Sequence, residues 1–225
     1  MQDARYVREA FAGIARRYVL TNHVLSMGTD VLWRRKTARL VASLQPALIL
    51  DLATGSGDLA VAIQKACPAA RVLGADFSVP MMRQAQQQHF QNLIAADAMS
   101  LPVADASFDV VTVAFGLRNM ASWPGALKEM HRVLRNGGHL IVLDFSLPSF
   151  PLMRAPYLFY LKSIMPKIAG LLTGKRDAYE YLCGSIERFP SGAQMEALMR
   201  DCGFADPISR PLSFGIATLY SATKP

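Results

Sequence analysis

Cysteine is scarce in this chain. Cys67, Cys183 and Cys202 show neither paired nor metal-like spacing, which excludes a disulfide scaffold and a metal module and is expected of reduced thiols in a cytoplasmic protein. Long apolar runs are lacking too. The longest candidate, residues 155–172, is broken by Lys162, Pro166 and Lys167, so no segment is expected to span a bilayer. The opening Met-Gln-Asp-Ala-Arg-Tyr-Val-Arg has no apolar stretch of the signal-peptide kind. Histidine is sparse, and His23, His89, His131 and His139 stand isolated, so no His/Asp or His/Glu spacing marks a general base. There is no internal repeat and no low-complexity tract. Acids are the minority charge: 17 Asp and Glu face 24 Lys and Arg, for a net +7.

What is present suits a packed α/β unit. The chain has 225 residues, 52% hydrophobic and 18% charged, enough for a sizeable core and one domain with additions. Its excess charge is uneven. Residues 1–40 hold eight basic side chains, Arg34, Arg35, Lys36 and Arg39 among them, against three acids. Such a patch suits an anionic membrane surface or a nucleic acid, or is a solvated helix face.

The most informative stretch is residues 48–58, Leu-Ile-Leu-Asp-Leu-Ala-Thr-Gly-Ser-Gly-Asp. An apolar run carries an acid, Asp51, and drops into a small-residue turn containing Gly55, Ser56 and Gly57. A strand–turn–helix of this kind lets a ligand lie against bare backbone, because glycine has no Cβ. A second acid, Asp76, ends the next apolar run, about twenty residues on, where a carboxylate meets ribose hydroxyls. A dinucleotide would bring a negative pyrophosphate to the turn. Asp51 favours a cation instead, and S-adenosylmethionine carries a sulfonium and an ammonium. Asp97, followed by Ala98, could hydrogen-bond an exocyclic adenine amine or cap a helix.

Apolar periodicity predicts helices over 4–20, 29–44, 58–66, 79–89, 123–135 and 191–202, the last capped by Ser191 and ended by Gly203. Strands are predicted over 48–53, 71–76, 92–96, 109–115, 139–145, 206–212 and 214–222. Asn136-Gly137-Gly138 reads as a stop after the 123–135 helix. The expected fold class is α/β: a Rossmann-like, doubly wound, mostly parallel sheet with a C-terminal antiparallel strand pair, plus N-terminal helices and a helical insertion. We divide 1–225, taken as a single domain, into an N-terminal helical lid (1–45), a cofactor-binding core (46–147), a helical substrate- or membrane-facing insertion (148–190), and a C-terminal helix and strand pair (191–225).

Longer motifs narrow the reading. They are Phe11-x-x-Ile-Ala-x-x-Tyr18 with Asn22, Leu25-Ser26, Gly28 and Trp33; Phe115-Gly-Leu-Arg-Asn119; His131-Arg-Val-Leu134 through Gly137-Gly138 to Leu143-Asp-Phe-Ser146; Tyr179-x-Tyr181-Leu182-x-x-Ser185-Ile186 with Phe189-Pro190; and Phe214-Gly-Ile-Ala217. On these the chain resembles the ubiquinone/menaquinone biosynthesis C-methyltransferase family of class I S-adenosylmethionine-dependent methyltransferases, from about Phe11 to the C-terminus.

The resemblance implies cofactor contacts at Ser56, Asp76, Asp97 and Ala98, beside Asp51, Gly55 and Gly57. It implies no metal. Its substrate would be a polyprenylated quinol, and the chain's ending is similar to the menaquinone branch, implying a naphthoquinol. A benzoquinol, both quinols, or a non-catalytic cofactor-binding scaffold are the alternatives. Arg118 is the expected partner of the substrate phenolate or a structural ion pair, Asn119 would orient the ring oxygen, and Tyr18 would bond the quinol or pack. The chain departs from the family pattern at Ala114, where a serine is usual, and in Tyr18-Val-Leu-Thr-Asn22, Asp30, Arg135, Asn136 and Asp144. No Asn/Asp-Pro-Pro-aromatic motif of base methylation is present, so no nucleic acid is expected. The basic N-terminus and the aromatic and aliphatic residues 155–166 suit peripheral contact with the inner face of an anionic membrane.

Overall fold

The computed structural model describes residues 28–148, 150–165 and 176–225. The predicted helix 4–20, the basic residues before Gly28, and Tyr18 lie outside the described residues. The elements run α1 (Thr29–Ser43), β1 (Leu48–Leu52), α2 (Asp58–Ala66), β2 (Arg71–Asp76), α3 (Val79–Gln87), β3 (Leu93–Ala95), β4 (Phe108–Ala114), a 3₁₀ turn (Leu117–Asn119), α4 (Trp123–Val133) and β5 (Leu134–Phe145). There follow α5 (Pro151–Phe159), a π turn (Tyr160–Ile164), α6 (Arg176–Arg188), α7 (Ala193–Asp201), β6 (Ala205–Leu212) and β7 (Ala217–Thr223).

Seven strands form one sheet in the order β3-β2-β1-β4-β5-β7-β6. The first five are parallel, and β7 runs antiparallel to both β5 and β6. The order reverses between β1 and β4, the switch point beside which ligands bind in open α/β sheets. Strands β1 and β4 are almost wholly buried, as parallel strands covered on both faces must be. On one face Leu50, Leu52, Val111 and Val113 pack with Leu127 and Met130 of α4 and Met195 and Met199 of α7. On the other, Ile49 and Val110 pack with Trp33 and Val41 of α1 and Leu59 and Ile63 of α2. The expected doubly wound sheet with its antiparallel pair is what forms.

Three local expectations are corrected. Asn136-Gly137-Gly138 does not stop the chain but lies inside β5, which begins directly after α4. Gly137 has φ 76°, and its N–H donates to the Lys224 carbonyl while Gly138 accepts from Lys224 N–H. A Cβ on Gly138 would sit 2.8 Å from the Arg135 carbonyl oxygen. The glycines thus carry an irregularity within a strand rather than a helix end. Helix α7 is capped by Gly192 at φ 56°, not Ser191, though Gly203 ends it as expected at φ 97°. The final strand starts three residues late, because Ser213 and Phe214 take positive φ in a 3₁₀ turn.

Candidate active site

Two adjoining cavities open at the carboxyl ends of β1, β2, β3 and β4. The smaller, about 100 Å³, is walled by Asp51, the 53–56 turn, Asp58, Phe77, Ser78, Ala114, Phe115 and Arg34. The larger, about 450 Å³, is walled by residues 95–99 with Leu52, Phe77 and 119–121. Ala53, Asp76, Phe77, Gly116 and Asn119 border both, so the two form one cleft of small-molecule size.

Backbone geometry makes the cleft. Ala53 ends β1 with φ 53° and Phe115 ends β4 with φ 58°. Positive φ at residues other than glycine costs about 1–3 kcal/mol each and concentrates at functional sites. The two turns meet so closely that a Cβ on Gly116 would lie 2.5 Å from Ala53 Cβ. Gly57, at φ 84°, lets α2 press on α3, where an added Cβ would stand 2.9 Å from Ala85 Cβ. Gly55 also takes positive φ, 56°.

The carboxylates follow. Asp51 is buried, and in-register pairing of β1 and β4 sets it beside Thr112. Its oxygens accept from Thr54 Oγ1 at 2.7 Å and Thr112 Oγ1 at 2.6 Å. The sequence pointed to a cationic ligand as the partner this acid requires, yet two hydroxyls already satisfy it. Burial still pushes its pKa up to about 6, opposed by those two hydrogen bonds. Asp76 accepts from Gly55 N–H at 2.8 Å and Ser78 N–H at 2.7 Å. Burial raises its pKa and the backbone donors resist the rise. Ser56 Oγ donates to Asp58 Oδ2 at 2.8 Å. Asp97, exposed at the rim beside Ala98, turns one oxygen to Met99 N–H at 2.9 Å. It caps a turn and borders the larger cavity.

Of the expected substrate-side residues, Asn119 borders both cavities, whereas Arg118 borders neither. Arg118 is 1% exposed. Its Nη1 donates to Asp144 Oδ1 at 2.7 Å and to the Phe115 carbonyl at 2.6 Å, and its guanidinium lies 5.2 Å over the Phe145 ring. The structure therefore places it as the buried ion pair, holding the Phe115 turn from behind. Arg34, counted with the surface basic patch, is corrected as well. Its side chain is 13% exposed and is paired with Asp30, at the cleft wall. Arg35, Lys36 and Arg39 do face outward.

The sequence placed Thr54 in the small-residue turn without giving it a role, and Thr112, Phe77 and Ser78 were missed. The hydroxyl of Ser78 is buried at the cavity wall with no hydrogen-bond partner. Only the register of β4 against β1 brings Thr112 to Asp51, so spacing along the chain could not reveal it. Thr54 and Ser78 each lie within three residues of an acid already singled out, and that proximity was the available signal.

Known proteins resemble the chain in sequence and in fold. The model of the ubiE/COQ5 methyltransferase family matches residues 1–224. A demethylmenaquinone methyltransferase of Thermus thermophilus is 41% identical, covering 96% of this chain and 100% of that protein. A ubiquinone/menaquinone biosynthesis C-methyltransferase of Geotalea daltonii is 39% identical, covering 97% and 96%. Among solved structures, an S-adenosylmethionine-dependent methyltransferase of Thermotoga maritima superposes with a TM-score of 0.61 at 19% identity, covering 97% and 99%, a likeness of fold.

Proposed function

We propose demethylmenaquinol as the methyl acceptor of this chain, which belongs to the ubiE/COQ5 methyltransferase family and is an S-adenosylmethionine-dependent methyltransferase. The acceptor rests on the names of relatives that match it along nearly their whole length.

The cleft fits the methyl donor. Ser78 Oγ is a buried hydroxyl awaiting a partner beside Asp76, which suits a ribose diol. The glycine turn leaves backbone exposed next to the acids Asp51 and Asp58, which suits a cationic amino-acid end. Asp97 and Ala98 border the larger cavity, which suits adenine. At Ala114 the wall offers a methyl group rather than a hydroxyl. When bound, S-adenosylmethionine supplies an electrophilic methyl group, and the hard chemistry is its own.

The protein's part is alignment, exclusion of water and charge control. Asn119, between the two cavities, presents an amide able to hydrogen-bond the quinol oxygen, which favours its phenolate and enriches the ring carbon. Arg118 acts through the loop: anchored to Asp144, it grips the Phe115 carbonyl and so fixes the turn that carries Gly116 and Asn119. Phe115, Phe145 and Trp33 cluster with ring centroids 4.7–6.2 Å apart, an apolar flank suited to an aromatic acceptor. Peripheral membrane contact completes the reading. Leu32, 61% exposed, and Phe214, 79% exposed, flank the Trp33–Ser213 hydrogen bond, with Arg35, Lys36 and Arg39 along the same helix. Among the described residues no helix is long and apolar enough to cross a membrane.

The test is turnover by mass spectrometry in detergent micelles, offering reduced demethylmenaquinone and the unmethylated benzoquinol precursor separately. One added methyl on the naphthoquinol ring alone is the expected result. Methylation of the benzoquinol alone, or of neither, would overturn the acceptor assignment.

A further inference from the structure

Resting on the placement of S-adenosylmethionine in this cleft, we infer that Arg34 receives the carboxylate of the donor's amino-acid end and is thereby a positioning residue for the methyl group. Arg34 is the one cationic side chain among the described residues that wall either cavity. The other charged residues there are the acids Asp51, Asp58, Asp76 and Asp97. Asp30 occupies Nη1, which leaves Nη2 for a second anion, and the amino-acid end of the donor bears one carboxylate beside its ammonium.

The guanidinium is prepared for that task. Asp30, one helical turn earlier on α1 and 2% exposed, pairs with Nη1. The ring of Phe115 supports it from one face at 5.2 Å. Nη2 stands 4.0 Å from Asp58 Oδ2, beyond hydrogen-bond length. Asp58, the first residue of α2, takes its own hydrogen bond from Ser56 Oγ and another from Gln88 Nε2. Arg34, Asp51 and Asp58 line the same cavity, so a zwitterionic head bound there would set its carboxylate on Arg34 and its ammonium toward the acids. An arginine suits this place better than a lysine, because its planar fork can keep Asp30 while engaging a second carboxylate.

The inference separates the two ends of the donor. Removing Arg34 should affect only ligands that carry the carboxylate. Equilibrium binding by calorimetry, on the full chain, would compare S-adenosylmethionine, its decarboxylated form and methylthioadenosine. For Arg34→Gln we expect S-adenosylmethionine to bind about 10- to 100-fold more weakly, the worth of a charge-assisted hydrogen bond. The decarboxylated form and methylthioadenosine should bind as to the unaltered chain. Arg34→Lys should restore part of the difference, and thermal melts would establish that both variants are folded. Equal weakening of all three ligands would make Arg34 merely structural and overturn the inference. So would unchanged S-adenosylmethionine binding, including the case where only the KM for the quinol moves. If the unaltered chain binds none of the three, the cleft assignment itself falls, a result distinct from any Arg34 effect.

Discussion

Asp51 is a buried acid whose charge the fold holds against a cost, and replacing it should make the protein more stable while making it a poorer binder. Its pKa rises from 3.8 to about 6 on burial, despite hydrogen bonds from Thr54 and Thr112. Between those two values the folded chain keeps a proton that the unfolded chain has lost. Stability therefore falls as pH rises through this window, by about 3 kcal/mol in all, and stays lowered above it. Asp51→Asn preserves shape, carries no charge, and can still exchange hydrogen bonds with both hydroxyls. Relative to the unaltered chain it should gain only about 0.5 kcal/mol at about pH 4 and about 3 kcal/mol at about pH 7. Urea denaturation without ligand, followed by the fluorescence of Trp33 and Trp123 across that range, measures both curves. Titrating groups not coupled to Asp51 cancel in the difference; Asp76, whose charge helps raise the Asp51 pKa, does not. A difference that does not change with pH, or a variant less stable than the parent at neutral pH, would refute the reasoning. The same substitution should weaken S-adenosylmethionine binding, since the positive ammonium and sulfonium favour an ionised Asp51.

Asp144→Ala strands the buried Arg118 guanidinium, 1% exposed, and should cost about 3–5 kcal/mol in urea denaturation. Arg118→Met with Asp144→Leu should recover most of that stability yet leave turnover low, because the grip on the Phe115 carbonyl is gone; full turnover would remove the positioning role. Gly116→Ala drives a Cβ to 2.5 Å from Ala53 Cβ, which should destabilise by about 1–3 kcal/mol and abolish donor binding, as calorimetry would show. Asp76→Ala removes the acceptor of Gly55 and Ser78 N–H and should weaken donor binding at least about tenfold. Arg35→Glu with Arg39→Glu should reduce cosedimentation with anionic vesicles while leaving detergent-based turnover unchanged; unaltered cosedimentation would remove this face as the membrane contact.

Most of the fold was legible before the structure because it is written in local patterns. The apolar run before Gly55 and Gly57 and the spacing to Asp76 marked strands and helices to within a residue or two, and alternation of the two implied the parallel sheet. The errors fell where a pattern has two meanings. Asn136-Gly137-Gly138 looks the same whether glycine ends a helix or carries a bulge. Only the pairing of Gly137 and Gly138 with Lys224, nearly ninety residues on, chose between them. The late start of β7 came from positive φ at Ser213 and Phe214, which no periodicity encodes.

The site divides in the same way. Sequence by itself determined the fold class, the glycine turn, and the acids Asp51, Asp76 and Asp97 at strand ends, since each depends on a short stretch of chain and on residue chemistry. Tertiary structure alone decided who faces whom. It set Thr112 beside Asp51 through strand register and turned Arg118 inward onto Asp144. It also brought Arg34 from what looked like a basic surface patch to the wall of the cleft. The physical reason is that a charge's role is fixed by its partners and its burial, and both come from segments far apart in the chain.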